Sequence, residues 1–343
     1  MRITTCEMHT CGEPLRIVET GLPDINGNTI VDKVAFIREN CDDIRKFLMH
    51  EPRGHHDMFG TLRVEPDLPS ADAAFVFMNN EGYTTMCGHA IIALGRYCVD
   101  NGIVEAEEPE TLVNIQCPCG LIPTYVSSNK ERSGRVRFHS VPSFVLQMDV
   151  SVRVPKIGVI TVDISYGGAF YAFVSTDALG LTSKAVDALR AVEVGQAVTN
   201  AIKKLIKIEH PENEDLGFLA GTIIVDRTGL DTKNLLRQMA VFADHELDRS
   251  PCGSGTAAHI ALLHAKGLLG VNCEKTFQSI VNDSKFVGRV IRKATCGLFD
   301  AVIAEVGGNA YYTGRSLFTS EDEDPLMTGF TSRPRMTAHT IET

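Results

Sequence analysis

The chain is predicted to fold as a mixed α/β protein built from two similar halves, and three observations predict it. Short runs rich in Val, Ile and Phe recur along the sequence, 343 residues exceed one ordinary domain, and Cys-Gly opens a small-residue helix twice, at Cys87 and at Cys252. The runs Ala74 to Met78, Val136 to His139 and Ile160 to Ile164 read as strands, and strands are expected to outnumber helices. One helix is expected over Val34 to His50, where Ile37, Cys41, Ile44 and Leu48 fall at helical spacing. Another is expected over about Lys184 to Ile208, with Val186, Leu189, Ile202 and Leu205 on its apolar side and His210-Pro211 as its stop.

Two further helices start at Met86-Cys87-Gly88-His89 and at Pro251-Cys252-Gly253-Ser254-Gly255-Thr256, the second closing at Gly267. Both run into Ala, Ile and Leu, the composition of a helix that sits in a core. The two cysteines stand 165 positions apart, a spacing that suggests an internal duplication with one motif per half. Val141-Pro142-Ser143 interrupts the strand pattern between Ser140 and Asp149. The expected division is therefore 1–145 and 146–322, with the tail 323–343, reached through the acidic run Glu321 to Asp324, completing the first half.

Composition narrows the function. Apolar residues make up 44% and charged residues 22%, as in an ordinary globular chain. Thirty-three basic and forty-three acidic side chains leave a formal charge of −10, the wrong sign for a partner of nucleic acid or of an anionic membrane, so a small-molecule ligand is expected. The N-terminus carries no apolar stretch of signal-peptide length and no run of about 18 apolar residues occurs, which makes the cytoplasm the expected location. Ten cysteines in a long chain without a secretion signal are expected to stay reduced. Cys117 and Cys119 lack a second pair at zinc-ligand spacing and read as a strand entering a turn; His55, His56 and Asp57 read as a polar turn, and no metal is expected. A homodimer is the default expectation for a cytoplasmic chain of this kind.

A cysteine at a helix start lies beside unpaired backbone N–H groups and the positive end of the dipole, which favours its thiolate. The adjoining glycine lets the backbone approach a ligand, so the same helix start can hold a carboxylate. Two such starts facing each other would grip one carboxylate and set a sulfur on each side of the bound molecule. One thiolate would then remove a Cα proton while the opposite thiol donates one. Contacts of about 3–3.5 Å from each sulfur to Cα would hold the sulfurs roughly 6–7 Å apart, too far to bond. For Cys6, Cys11, Cys41, Cys98, Cys273 and Cys296 the expected role is that of small buried hydrophobes.

The segments Met86 to His89 and Asp248 to Thr256 resemble the two active-site signatures of the proline racemase family, and together they are highly specific. Similarity continues through Glu7 to Glu13, Glu51 to His55, Asn80 to Tyr83, Tyr166 to Phe170, Asp324 to Leu326 and Gly329-Phe330, nearly the whole chain. The resemblance implies a diaminopimelate-epimerase-like fold of two pseudo-symmetric halves, each wrapping a sheet around a central helix, with the site in the cleft between them and no cofactor or metal. It implies Cys87 and Cys252 as the acid/base pair. Backbone N–H groups of Gly88, His89, Gly253 and Ser254 would hold the substrate carboxylate, and Asp248 and the His89 side chain the ring nitrogen.

Relatives carry three activities: proline racemase, 4-hydroxyproline 2-epimerase and trans-3-hydroxyproline dehydratase. Dehydration needs one base at Cα, and dehydratases commonly carry Thr or Ser in place of one cysteine; two cysteines favour inversion. The segments Cys117 to Leu121, Arg137 to Pro142 and Asp215 to Ile223 pull the other way and look closest to the animal-type dehydratases. Phe59 and Phe242 match positions where proline racemases set phenylalanine against an apolar ring, and burying a ring hydroxyl there without a partner would cost about 1–3 kcal/mol. The leading expectation is thus a two-cysteine racemase or epimerase of proline or 4-hydroxyproline. The alternative is a trans-3-hydroxy-L-proline dehydratase, and beyond it a non-catalytic imino-acid binder.

Overall fold

The computed structural model describes residues 1–129, 132–181, 187–226, 234–242 and 245–331. The chain begins with β1 (Arg2–Thr10) and β2 (Glu13–Thr20), then α1 (Ile30–Asn40) and α2 (Asp42–Met49). Next come β3 (Gly60–Val64), β4 (Ala73–Met78), β5 (Tyr83–Thr84), α3 (Gly88–Asp100), β6 (Glu110–Cys117), β7 (Gly120–Asn129) and β8 (Arg132–His139). The pattern then repeats with β9 (Ser143–Val154), β10 (Gly158–Tyr166), β11 (Phe170–Ser175), α4 (Ala188–Leu205), β12 (Leu219–Asp226), β13 (Leu235–Phe242), α5 (Gly253–Ala265), β14 (Glu274–Ser279), β15 (Lys285–Cys296) and β16 (Phe299–Gly308). β17 (Ala310–Thr319) ends the sheet.

Strand pairing closes two rings. β9 to β16 pair in sequence order, and β16 returns to β9. The first ring runs β17–β1–β2–β3–β4–β6–β7–β8 and closes through β16, which pairs with β8 and passes directly into β17. In each ring the pairings that begin at β1–β2 and at β10–β11 alternate antiparallel, parallel, antiparallel, parallel, which is the duplication expressed as topology. β17, at 310–319, lies within the span assigned by sequence to the second half, yet its ladder partner is β1. One strand pair thus serves both rings, and no composition break marks where it changes from one to the other.

Each ring wraps a helix. α3 packs against β1, β6, β7 and β8, and α5 against β9, β10, β15 and β16. Every residue of α5 from Gly253 to Leu263 is buried, as is every residue of α3 from Gly88 to Gly95. Such burial needs helices without a polar face, and each Ile or Leu side chain so buried contributes about 1.5–3 kcal/mol.

The remaining helices lie outside the rings and differ from the spacing rule. The single helix expected over Val34 to His50 is two: Cys41 closes α1 with its N–H on the Ile37 carbonyl, and Asp42 and Asp43 open α2 at the dipole's positive end. Ile37, Cys41, Ile44 and Leu48 are all buried, so the apolar spacing passes unbroken through a backbone break that keeps the same face inward. Residues 184–186 of the second expected helix lie outside the described residues; Asp187 caps α4, which ends at Leu205, well before His210-Pro211. Its buried face is Ala191, Val192, Val194, Val198 and Ile202, whereas Leu189 and Leu205 are exposed. Among the described residues no helix is long and apolar enough to cross a membrane.

Candidate active site

α3 and α5 begin nose to nose. A Cβ placed on Gly88 would lie 2.5 Å from the Gly253 Cα, and one on Gly253 would lie 2.5 Å from the Gly88 Cα, so only glycine permits the approach. The first N–H groups of a helix have no partner within it, and here two such sets converge on one place. Beside them is a cavity of about 380 Å³. All nine residues singled out from the sequence, Cys87, Gly88, His89, Asp248, Cys252, Gly253, Ser254, Phe59 and Phe242, line it. Exposed Arg38 of α1, Lys203 of α4 and Glu81 line it too.

The two cysteines sit at equivalent positions but in different surroundings. Cys87 precedes α3 in extended backbone, whereas Cys252 precedes α5 at φ +67°, a strained conformation for a residue with a Cβ and one of the kind that gathers at functional sites. Cys87 Sγ is 3.3 Å from His89 Nδ1, and His89 Nε2 is 3.2 Å from the Pro14 carbonyl oxygen. A carbonyl only accepts, so Nε2 carries the proton, and the bare Nδ1 faces the thiol as acceptor. Burial, joined by the charge of Arg249, pushes His89 down to about 4 against the pull of the Pro14 carbonyl, which keeps the ring neutral. Cys252, by contrast, lies beside the Asp248 carboxyl and the Tyr171 hydroxyl.

Neither cysteine is held as the thiolate expected from the helix dipole. Burial pushes both thiols well above the ordinary cysteine range; the charge of Asp248 adds to it at both, and any charge on Cys252 or Glu13 would add further at Cys87. Backbone N–H groups at Ala90 and Gly255 act in the opposite direction, as the dipole argument requires. The magnitudes explain which wins. A helix end is worth about 0.3–1 kcal/mol, rising to ~2, while burying an unpaired charge costs several kcal/mol. Both cysteines therefore rest as thiols, and a proton acceptor close to the sulfur becomes necessary.

Asp248 is 1% exposed and its Oδ1 accepts the Ser250 N–H at 2.7 Å, so it caps the turn before α5 and also faces the cavity. Burial raises it to about 6 against its bonds to Ser250. The segment that carries it is clipped to the first ring. Asp57 accepts from the Leu247 N–H at 3.1 Å and pairs with Arg249 at 3.0 Å, and Glu13 accepts from the Arg249 N–H at 2.7 Å. Glu246 accepts from the Asn79 side chain at 2.9 Å and the Asn80 N–H at 3.2 Å. Phe59 and Phe242 form an apolar wall with ring centroids 5.6 Å apart, and the His89 ring meets Phe59 edge-on at 5.2 Å.

Tyr171 was not singled out by sequence. Its hydroxyl lies 2.9 Å from Ser254 Oγ, fully buried, and lowers the Cys252 thiol by hydrogen bonding. The available signal was its place immediately after the Tyr166 to Phe170 run. Removing a donor to an anion raises the anion's pKa, so Tyr171→Phe is expected to move the iodoacetamide alkylation of Cys252, followed by peptide mass mapping, to higher pH. An unchanged alkylation profile would place the hydroxyl's role elsewhere.

A sequence model described as proline racemase matches residues 5–331. A trans-L-3-hydroxyproline dehydratase of Saccoglossus kowalevskii is 50% identical over 323 residues, 94% of this chain and 99% of that protein. A 3-hydroxyproline 2-epimerase of Burkholderia multivorans is 43% identical over 331 residues, 96% of this chain and 98% of that one. Among solved structures, a probable proline racemase of Agrobacterium radiobacter K84 with bound carbonate superposes with a TM-score of 0.90 at 30% identity, covering 96% of both chains. The two-ring architecture is the fold of that structure.

Proposed function

This chain belongs to the proline racemase family, and from that premise we propose that it is a trans-3-hydroxy-L-proline dehydratase in which Cys87 is the base at Cα. The observation that carries the reading is that both sulfurs line one cavity and Cys87 has an uncharged acceptor, His89 Nδ1, at 3.3 Å, whereas the acceptor beside Cys252 is the Asp248 carboxyl assigned to the ring nitrogen. The 50% identity to a dehydratase supports a 3-hydroxyproline over proline. The preference for an unhydroxylated ring, inferred from Phe59 and Phe242, gives way because His89, Tyr171 and Ser254 bring polar atoms to the same cavity.

The proton count closes within these residues. The backbone N–H groups of Gly88, His89, Gly253 and Ser254 hold the carboxylate, and Asp248 faces the ring nitrogen. The Cys87 thiol gives its proton to His89 Nδ1, and the thiolate takes the Cα proton. The C–H electron pair forms the Cα–C3 double bond as the C3–O bond breaks. In the trans isomer the hydroxyl lies opposite the carboxylate and hence on the same face as the Cα proton. The imidazolium beside Cys87 is then on the correct side to protonate the departing hydroxide, which leaves as water and restores neutral His89 and the Cys87 thiol. The enamine product tautomerises to a ketimine.

Cys252, from the half at 146–322, would face the opposite side of the substrate from Cys87 of the half at 1–145. Its presence favours a second reading, inversion at Cα of the same substrate, consistent with the activity named for the Burkholderia relative. A cytoplasmic enzyme with a small imino acid as partner accords with both. Incubation with trans-3-hydroxy-L-proline, trans-4-hydroxy-L-proline and L-proline in D₂O tests the proposal. A ketimine trapped from the 3-hydroxy substrate alone is the expected outcome; Cα deuteration of L-proline with no ketimine from any substrate overturns it.

A further inference from the structure

Glu13 opens β2 after a tight turn in which Cys11 and Gly12 take left-handed backbone, at φ 55° and 86°. Its side chain is wholly buried. Oε2 accepts the Arg249 N–H at 2.7 Å and stands 3.8 Å from Arg249 Nη1, but among the described residues Oε1 is buried without a hydrogen-bond partner. The charged and titratable groups around it are the Asp248 and Asp57 carboxyls, the Arg249 guanidinium and the Cys87 thiol. His89 is reached through the carbonyl of the adjoining Pro14. Arg249 is already engaged by Asp57, whose Oδ2 lies 3.0 Å from its Nη2.

An ionised carboxylate with one buried oxygen lacking a protein partner is costly, and two neighbouring carboxyls cannot both ionise cheaply. Burial first, then the charge of Asp248, push Glu13 well above the ordinary carboxylate range, against the charge and N–H of Arg249. We propose that Glu13 is the protonated member of a buried carboxyl pair with Asp248, so that Asp248 remains the ionised partner offered to the ring ammonium of the substrate. This rests on the imino-acid reading of the site and assigns Glu13 a positioning role. Its neutral form also spares Cys87 a second negative charge at the moment the thiolate forms. As pH rises and Glu13 ionises, that charge opposes the thiolate and turnover falls.

Infrared spectroscopy of the full chain with ¹³C-labelled glutamate side chains tests this without substrate. The expected result is a carboxylic-acid carbonyl band at neutral pH that moves with the label and with D₂O and is lost in Glu13→Gln. Absence of a protonated glutamate band in the labelled wild type overturns the proposal, whichever reaction the enzyme runs. Should Glu13→Gln not fold, Asp248→Asn serves: removing the neighbouring charge is expected to shift ionisation of that band to lower pH, and an unmoved band overturns the pairing. In kinetics, Glu13→Gln is expected to move the alkaline limb of the kcat profile up by about one pH unit or more. A limb that stays in place overturns the control of Cys87 by Glu13.

Discussion

Cys87→Ala is expected to lower kcat for ketimine formation from trans-3-hydroxy-L-proline by on the order of 10³-fold or more, while Cys252→Ala keeps it within about tenfold and abolishes only the exchange that inverts Cα. A positioned acid or base contributes about 10²–10⁴-fold, and removal of the sole base at a carbon acid lies at the upper end of that range. The asymmetry comes from the neighbours. Asp248 opposes a negative charge at either sulfur, and of the two cysteines Cys87 has the neutral His89 ring 3.3 Å away to receive its proton. Loss of a Cα proton and loss of a hydroxyl from one face need only one sulfur, and inversion needs both. Trapped ketimine and Cα deuteration, followed together in D₂O for the two variants, separate the roles. Equal collapse of dehydration in both variants would contradict the assignment of Cys87 as base.

The other large effect is expected from adding a single methyl group. Gly88→Ala or Gly253→Ala would place a Cβ 2.5 Å from the opposing Cα, a contact with backbone that no side-chain rotation relieves. The helix starts must part, and the N–H groups that converge on the carboxylate lose their common target. Hydrogen bonds to a charged group contribute about 1.5–3 kcal/mol each, so losing two weakens binding of pyrrole-2-carboxylate by roughly 10²–10⁴-fold. Calorimetric titration of that planar analogue measures the loss, and a thermal melt reports the accompanying drop in stability. Retention of wild-type affinity in either variant would mean that the carboxylate is held elsewhere.

Much of the site was legible before the fold was known because its chemistry is tied to local sequence. A Cys-Gly at the head of an Ala, Ile and Leu helix specifies a buried helix, a close backbone approach and a sulfur at its tip, all within a few residues. What escaped detection depends on partners far along the chain. Tyr171 matters only because β11 brings its hydroxyl to Ser254, 83 positions later. Glu13 meets Arg249 across 236 positions, and nothing near it in sequence signals an orphaned oxygen. The break at Cys41 was hidden because both sides of it bury the same apolar stripe. Leu189 and Leu205 misled because spacing alone cannot say which side of α4 faces the ring.

By itself the sequence determined the mixed α/β class, the duplicated plan, the two cysteines and the residues that would gather beside them, since periodicity, turn residues and helix starts are local properties of a chain. Only the tertiary structure decided the protonation of those sulfurs, the neutral state of His89, the difference between Cys87 and Cys252, and the exchange of β16 and β17 between rings. The physical reason is common to all four. Desolvation and ladder pairing depend on what surrounds an atom in space, and their energies exceed the dipole and propensity terms that a local reading supplies.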